Sequence, residues 1–156
     1  QSLIARHVGD LQIGVYVAPS YVERLGAPAH PRELQNTDHC IVGFLSSRTS
    51  KIDPLVLCSE NERIEITGNY VLAVDDGNAY LEAGLVGLGV IALPNYMAAA
   101  HQAVGALIPL FTQWRISPMP LYLAFPPNRH VNAKLRVFFD WIVELMLQHV
   151  PITNNK

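Results

Sequence analysis

The stretch VLAVDDGNAYLEAGLVGLGVIALP, residues 71–94, decides the fold, because it holds two apolar strands separated by one helix. The first strand ends at Val74, and the polar turn at residues 75–78 opens a helix predicted over residues 79–88. Residues 90–93 then form the next strand. A strand, a helix and a second strand in this order are typical of an α/β fold with a largely parallel sheet.

Three glycines, Gly84, Gly87 and Gly89, lie in the last turns of this predicted helix and just after it. A phosphate-binding glycine loop would instead follow a strand and precede a helix. We therefore expect these glycines to allow close packing of the helix on the sheet and a tight exit from the helix.

Strand and helix patterns alternate along the rest of the chain. The predicted strands are residues 3–17, in two pieces around Gly9 and Asp10, and residues 40–45, 56–58, 63–74, 106–111 and 121–125. The predicted helices are residues 21–25 with Ser20 as the N-cap, a turn that starts at Pro31, residues 95–104, and a long helix from Asn132 to about His149.

Composition excludes several classes of protein. The 156 residues include 11 Lys and Arg against 13 Asp and Glu, which gives a net charge of −2. Half of all residues are hydrophobic. Such a chain is too apolar for a disordered segment. It lacks an apolar run of about 18 residues for a membrane helix. It also lacks the basic surplus of a nucleic-acid-binding domain, so any contact with DNA belongs to another segment.

Signatures of catalysis and metal binding are missing from the sequence. It has no GxSxG, HExxH or P-loop motif, and its six histidines are never paired at i, i+4. His39 and Cys40 are adjacent but lack further ligands for a metal site. Cys40 and Cys58 fit buried free thiols in a reducing cytosol. We expect no enzyme activity, metal or cofactor; a small α/β enzyme stays open as an alternative without a nameable catalytic site.

The turn at Asp75 and Asp76 is the best-placed polar feature. It lies where a strand ends and a helix begins, and ligands of open α/β sheets bind at such places. The alternative is an ordinary N-cap, in which one aspartate accepts backbone N–H groups and stabilises the helix by about 1 kcal/mol.

Short motifs recur in a defined order along nearly the whole chain, to Leu147. They are Ala18-Pro19-Ser20-Tyr21, Gly26-Ala27-Pro28, Pro31-Arg32-Glu33-Leu34, His39-Cys40-Ile41, Val74-Asp75-Asp76, GLVGLGVIALP at 84–94, Gly105-Ala106-Leu107-Ile108, PLYL at 120–123 and KLRVFFDW at 134–141. Their order and spacing resemble the effector-binding domain of LysR-type transcriptional regulators.

The resemblance implies a fold like that of type 2 periplasmic binding proteins, with two lobes joined by two crossover strands. Residues 1–18 would hold part of the proximal lobe and the outward hinge strand, and residues 19–117 the distal lobe. Residues 118–150 would form the return hinge strand and the C-terminal helix of the proximal lobe, followed by a tail at 151–156. The proximal lobe would be incomplete, so we expect exposed apolar faces and self-association.

The resemblance also implies a site and a function. A small effector would bind in the cleft between the lobes, in contact with Val74, Asp75 and Asp76, and with Arg6 and Tyr122. Arg6 would suit a carboxylate on the effector, although a surface salt bridge is the alternative; Tyr122 could instead be a core residue. Two adjacent acids favour an amine-bearing or neutral effector at the turn.

In the full regulator, the effector would modulate DNA binding by an N-terminal helix-turn-helix domain that precedes this chain. The expected partners are therefore the effector, a homodimer or tetramer of the regulator, and DNA through that missing domain only. The expected location is the cytoplasm, with no membrane contact. The alternative from another class is a periplasmic type 2 solute-binding protein of the same architecture.

Overall fold

The structure is a computed structural model that describes residues 3–36, 38–125 and 133–149. The chain forms two compact units. The first unit combines residues 1–12 with residues 118–156, and the second is the continuous segment Ile13–Ser117. The predicted lobe boundaries, at residues 18, 117 and 150, stay a prediction.

The elements follow one another in a mixed order of strands and helices. The strands are β1 (Ile4–Leu11), β2 (Ile13–Val17), β3 (Cys40–Phe44), β4 (Leu55–Cys58), β5 (Arg63–Ile66), β6 (Asn69–Val74), β7 (Ile91–Pro94), β8 (Ile108–Leu110) and β9 (Met119–Phe125). The helices are α1 (Pro19–Leu25), α2 (Gly77–Leu85), α3 (Asn95–Ala103) and α4 (Ala133–His149), with a 3₁₀ turn at Pro31–Gln35.

The second unit is built on two hydrogen-bonded groups of strands. β2 lies between β7 and β8 and is antiparallel to both, while β3 pairs with β6 in parallel. A parallel bridge from Ile41 to Val90 joins the two groups, and the amide of Val42 donates to the carbonyl of Val90 at 3.0 Å. β4 and β5 form a separate antiparallel hairpin.

The first unit contains the antiparallel pair β1–β9 and the helix α4. Phe139 of α4 is buried, and its ring lies 4.8 Å from the ring of Phe125 at the end of β9. The register of β1 shifts between His7 and Gly9, which is a β-bulge. The predicted break at Gly9 and Asp10 is thus a bulge, and the chain leaves the strand only at Gln12.

The predicted α/β class is confirmed, but the largely parallel sheet is wrong. Among the described strands, only the pairing of β3 with β6 is parallel, and the other four pairings are antiparallel. Strand direction depends on partners that are distant in sequence, and β2 takes the distant strands β7 and β8 as antiparallel neighbours. β4 and β5, in contrast, are joined by the four-residue turn 59–62, which suits an antiparallel hairpin.

The packing role predicted for the glycines at residues 84–89 is confirmed. A methyl group on Gly84 would lie 2.1 Å from Cδ1 of Ile91, so α2 rests directly on β7. Gly87 has a φ of +76°, a conformation that favours glycine, and a methyl group on Gly89 would lie 2.9 Å from the carbonyl oxygen of Cys40.

Local capping differs from the predictions at the start of α1. α1 begins at Pro19 after Ala18, which makes no side-chain cap, so the predicted N-cap at Ser20 is wrong: proline at the first position already supplies the fixed φ of a helix start. Gly26 ends α1 as predicted. The predicted cap at Asn132 falls outside the described residues.

Both cysteines are free, as predicted, but each is only partly buried. Among the described residues, no helix is both long enough and apolar enough to cross a membrane.

Candidate functional site

The carboxyl ends of three strands of the second unit meet at one edge of its sheet. β3 and β6 run in parallel and end side by side at Phe44 and Val74, and the amide of Leu45 donates to the carbonyl of Val74 at 2.7 Å. β7 ends next along this edge, because the residue before it bridges to β3 in parallel. Loops that follow parallel strand ends are where α/β proteins bind ligands.

Asp76 is the N-cap of α2. Its carboxylate Oδ1 accepts hydrogen bonds from the backbone amides of Asn78 at 3.0 Å and Ala79 at 2.9 Å. Asp75 and Asp76 are both exposed. The capping interpretation is therefore confirmed for Asp76. Both of these bonds go to Oδ1 of Asp76.

A cluster of buried side chains lies beneath this turn. Val74 packs against this cluster, which includes Tyr80, and Tyr80 contacts the ring of Phe44 at 5.4 Å between centroids. The Tyr80 hydroxyl accepts a hydrogen bond from the Ala92 amide at 3.0 Å. Burial raises the pKa of Tyr80 to about 12. The hydrogen bond to Ala92 links α2 to β7 beneath the turn.

A second polar group of the same edge was missed by sequence reasoning. The hydroxyl of Tyr16 donates to Oδ1 of Asn95, the first residue of α3, at 3.0 Å. A methyl group on Gly14 would lie 2.6 Å from that hydroxyl, so glycine is needed there. The signal was available: Pro94–Asn95 repeats the pattern of a strand end followed by a helix start.

The amino-terminal ends of α2 and α3 are close neighbours. A methyl group placed on Gly77 would lie 3.9 Å from the Cε atom of Met97 on the first turn of α3. Asp75, Asp76 and Asn95 thus belong to one polar rim along the sheet edge. This rim carries two negative charges, and among the described residues no Lys or Arg side chain forms an ion pair with either aspartate.

The two remaining predicted site residues, Arg6 and Tyr122, lie in the first unit. His7 and Tyr122 are opposite each other on β1 and β9, and their rings meet edge to face at 5.3 Å. Tyr122 is 55% exposed, so the alternative of a core tyrosine is not supported.

Arg6 is next to His7 in the same strand and therefore projects from the opposite face of the two-stranded sheet. It is exposed, and among the described residues it makes no ion pair. Arg6 and Tyr122 consequently do not line one surface. Their roles as effector contacts stay predictions.

The residue types at the sheet edge suit hydrogen bonds and ion pairs with a ligand. The rim offers carboxylates, an amide and a tyrosine hydroxyl that is already hydrogen-bonded. His39 also has a partner, since its Nδ1 lies 2.9 Å from the Tyr21 hydroxyl. Within the described parts of the chain, no three His, Cys, Asp or Glu side chains are grouped closely enough to hold a metal ion.

Comparison with known proteins identifies the family. The sequence profile of the LysR substrate binding domain matches residues 1–147. The chain belongs to this family.

Curated relatives of this LysR substrate binding domain are named as transcriptional regulators. An HTH-type transcriptional repressor of Pseudomonas aeruginosa is 27% identical over 97% of the chain and 47% of its own length. The regulator CrgA of Neisseria meningitidis is 29% identical over 91% of the chain and 46% of its own length. The chain spans about half the length of the curated relatives it matches.

Solved structures agree with the family fold. The regulatory domain of CrgA from Neisseria meningitidis, a LysR-type regulator, is 28% identical, with a TM-score of 0.73 over 92% of this chain and 68% of that one. A variant of the AphB regulatory domain from Vibrio vulnificus has a TM-score of 0.74 at 23% identity, covering 91% of this chain and 69% of the other. The predicted type 2 periplasmic-binding-protein-like fold is confirmed. The periplasmic solute-binding alternative has no support among these relatives.

Proposed function

We propose that this LysR substrate binding domain senses a small effector at the turn of residues 74–76 and passes that signal to a DNA-binding domain elsewhere in a cytoplasmic transcriptional regulator. The observation that carries the proposal is the rim at the carboxyl ends of β3, β6 and β7 in a chain of this family. The named relatives are transcriptional regulators, which supports a binding function in place of catalysis.

The chemistry of the rim favours an effector that bears an amino group or is neutral. Asp75 and Asp76 place two carboxylates at one turn, while the amides of Asn78 and Ala79 already donate to Asp76. An anionic effector would meet both negative charges and find these helix N–H groups occupied. An ammonium group would instead gain a charge-assisted hydrogen bond.

Arg6 and Tyr122 stay candidates for the same effector on the strength of the family resemblance. Because they project from opposite faces of the β1–β9 pair, we expect only one of them to contact the effector. Tyr122 offers an exposed ring and hydroxyl, and Arg6 offers a guanidinium group that would suit a carboxylate.

A test separates the charge of Asp76 from its capping role. The chain is screened by thermal shift against amine-bearing, neutral and anionic metabolites, and a stabilising compound is titrated by calorimetry. The variant Asp76→Asn keeps a good N-cap but removes the charge. Glu82→Gln, an exposed acid on the same helix, is the matched control.

We expect Asp76→Asn to lower the affinity for an amine-bearing effector about tenfold, and Glu82→Gln to leave that affinity unchanged. Equal affinity in wild type and Asp76→Asn would remove Asp76 from the site. Hits that are all anionic would contradict the proposed effector class.

We also propose that the regulator assembles through copies of itself. Val137, Phe138 and Trp141 of α4 are all exposed, at 69%, 48% and 54%. Basic residues stand toward the start of α4 and acidic residues further along it: Lys134, Arg136, Asp140 and Glu144. Two copies of α4 packed antiparallel would therefore bury this apolar stripe and place opposite charges across from each other.

A further inference from the structure

A groove in the second unit is separate from the rim at Asp76. It has a volume of about 730 Å³, within the usual range of small-molecule sites, and its wall includes the segment Gln113, Trp114 and Arg115. The facing wall is the turn between β4 and β5, including Glu60 and Asn61. The groove is bounded by two segments that are joined to each other through their backbones.

That joint fixes the position of Arg115. The amide of Cys58 donates to the carbonyl of Arg115 at 2.8 Å, and the amide of Arg115 donates to the carbonyl of Cys58 at 2.7 Å. These paired bonds hold the two walls in register at the base of the groove. The side chain of Arg115 is exposed, and among the described residues its guanidinium makes no ion pair.

Glu60 supplies the opposite charge in the same groove. It is exposed, and within the described residues its carboxylate also makes no ion pair. The neighbouring Glu62, in contrast, is engaged by Arg32 and faces Nε2 of His30 at 3.8 Å. In the part of the chain that the structure describes, Arg115 and Glu60 therefore have no ion-pair partner, whereas the neighbouring Glu62 has two.

Trp114 gives the groove an apolar wall. Its indole is partly buried against the core of the unit, and the ring of His30 meets it edge to face at 5.2 Å. His30 is itself held, because its Nδ1 accepts from the amide of Arg32 at 3.2 Å. The indole is thus held by the core and by His30, and Trp114 lines the groove together with Arg115.

From this geometry we propose that the groove binds a free amino acid with an apolar side chain. Its carboxylate pairs with the Arg115 guanidinium, its ammonium group pairs with Glu60, and its side chain packs on Trp114. A ligand with only a carboxylate would be repelled by the negative charge of Glu60. A ligand with only an amino group would be repelled by the positive charge of Arg115. A zwitterion satisfies both charges at once.

The groove lies close in sequence to the end of the second unit, since Arg115 comes three residues before Pro118, where the chain passes into the first unit. This second site goes beyond the effector site proposed at residues 74–76 and does not depend on it.

The test uses Trp114 as its own reporter. The chain has two tryptophans, so Trp141→Phe leaves Trp114 as the only one. L-phenylalanine is titrated into this variant while indole emission is recorded, and calorimetry checks the affinity. N-acetyl-L-phenylalanine lacks the ammonium group and L-phenylalaninamide lacks the carboxylate, so each probes one of the two charges.

We expect a saturable change in Trp114 emission with L-phenylalanine, and about tenfold weaker binding of either derivative. Arg115→Gln and Glu60→Gln should each lower the affinity for L-phenylalanine by a similar factor. Arg48→Gln and Glu23→Gln, exposed residues outside the groove, should not change the affinity. All four positions are on the surface, and circular dichroism checks that the fold is kept.

The absence of saturable binding would overturn the proposal. Equal affinity of L-phenylalanine for wild type, Arg115→Gln and Glu60→Gln would overturn it as well. So would derivatives that bind as tightly as the free amino acid, since the two charges would then play no part.

Discussion

Asp76 shows how one side chain serves stability and, in our proposal, recognition. Its Oδ1 accepts two backbone N–H groups at the start of α2, and the proposed effector binds the same carboxylate. The sequence already indicated both roles, because an acid between a strand and a helix suits a cap and a ligand equally. Only the hydrogen-bond geometry shows that Asp76, and not Asp75, is the cap.

The capping role predicts a difference between substitutions. Asp76→Ala should lower the free energy of unfolding by about 1 kcal/mol, because the amides of Asn78 and Ala79 lose their acceptor. Asp76→Ser should recover most of that loss, since serine is also a good N-cap. Urea denaturation of the three proteins measures both effects. A loss of the same size for Ala and Ser would show that the cap is not the cause.

Tyr80 predicts a pH dependence at the alkaline end. Burial raises its pKa from 10.0 to about 12, so the folded protein holds this proton more tightly than the unfolded chain does. Its contribution to stability is complete below pH 10 and is lost as the pH rises toward 12. The variant Tyr80→Phe should therefore lose less of its stability than wild type as the pH rises from 10 toward 12.

The measurement is urea denaturation of wild type and Tyr80→Phe at several values between pH 8 and pH 12. At pH 8 the variant should be less stable by about 1–3 kcal/mol, because the Ala92 amide loses its buried acceptor. The difference should shrink as the pH approaches 12. A stability difference between the two proteins that stays constant from pH 8 to pH 12 would contradict a raised pKa for Tyr80.

At the scale of elements, the contact of α2 with β7 depends on the absence of a side chain at Gly84. A methyl group there would lie 2.1 Å from Cδ1 of Ile91, which is almost fully buried, so the packing around Ile91 would have to shift. Gly84→Ala should therefore cost about 1–3 kcal/mol of stability. Gly77→Ala, with only an ordinary 3.9 Å contact, is the matched control on the same helix.

A double variant tests the cause. Ile91→Val removes Cδ1, the nearest clashing atom, and leaves Cγ1 at 2.8 Å, so Gly84→Ala combined with Ile91→Val should cost less than the sum of the two single changes. Thermal or urea unfolding of the four proteins measures this coupling. Additive costs would mean that Gly84 is needed for another reason.

The elements also show where sequence reasoning succeeds and where it stops. Strands and helices around residues 71–104 were predicted within a few residues, because apolar periodicity and the breaks at Asp75, Gly89 and Pro94 are local signals. Strand direction was predicted wrongly, because pairing partners are distant in sequence: β2 binds β8, about 90 residues away. The groove at Arg115 was missed for the same reason, since its walls are separated by more than 50 residues.

At the scale of the whole molecule, the exposed stripe on α4 predicts self-association. Val137, Phe138 and Trp141 would be buried between two copies, so the chain should behave as a dimer or larger species in sedimentation. Replacing Phe138 with Lys should shift it toward the monomer. Leu88→Lys, an exposed apolar residue of the second unit, is the control and should leave the oligomer unchanged. A monodisperse wild-type monomer would contradict this prediction.

Labelled backbone amides report whether an effector binds at the turn of residues 74–76. The most stabilising compound of the metabolite screen that leaves the indole emission of Trp141→Phe unchanged, and so does not occupy the groove at Trp114, is added to ¹⁵N-labelled protein, and amide shifts are followed by NMR. We predict that the largest saturable shifts in the second unit fall on residues 74–79, at the Asp76 cap and the start of α2. Saturable binding that leaves these amides unmoved would contradict the proposed effector site at residues 74–76.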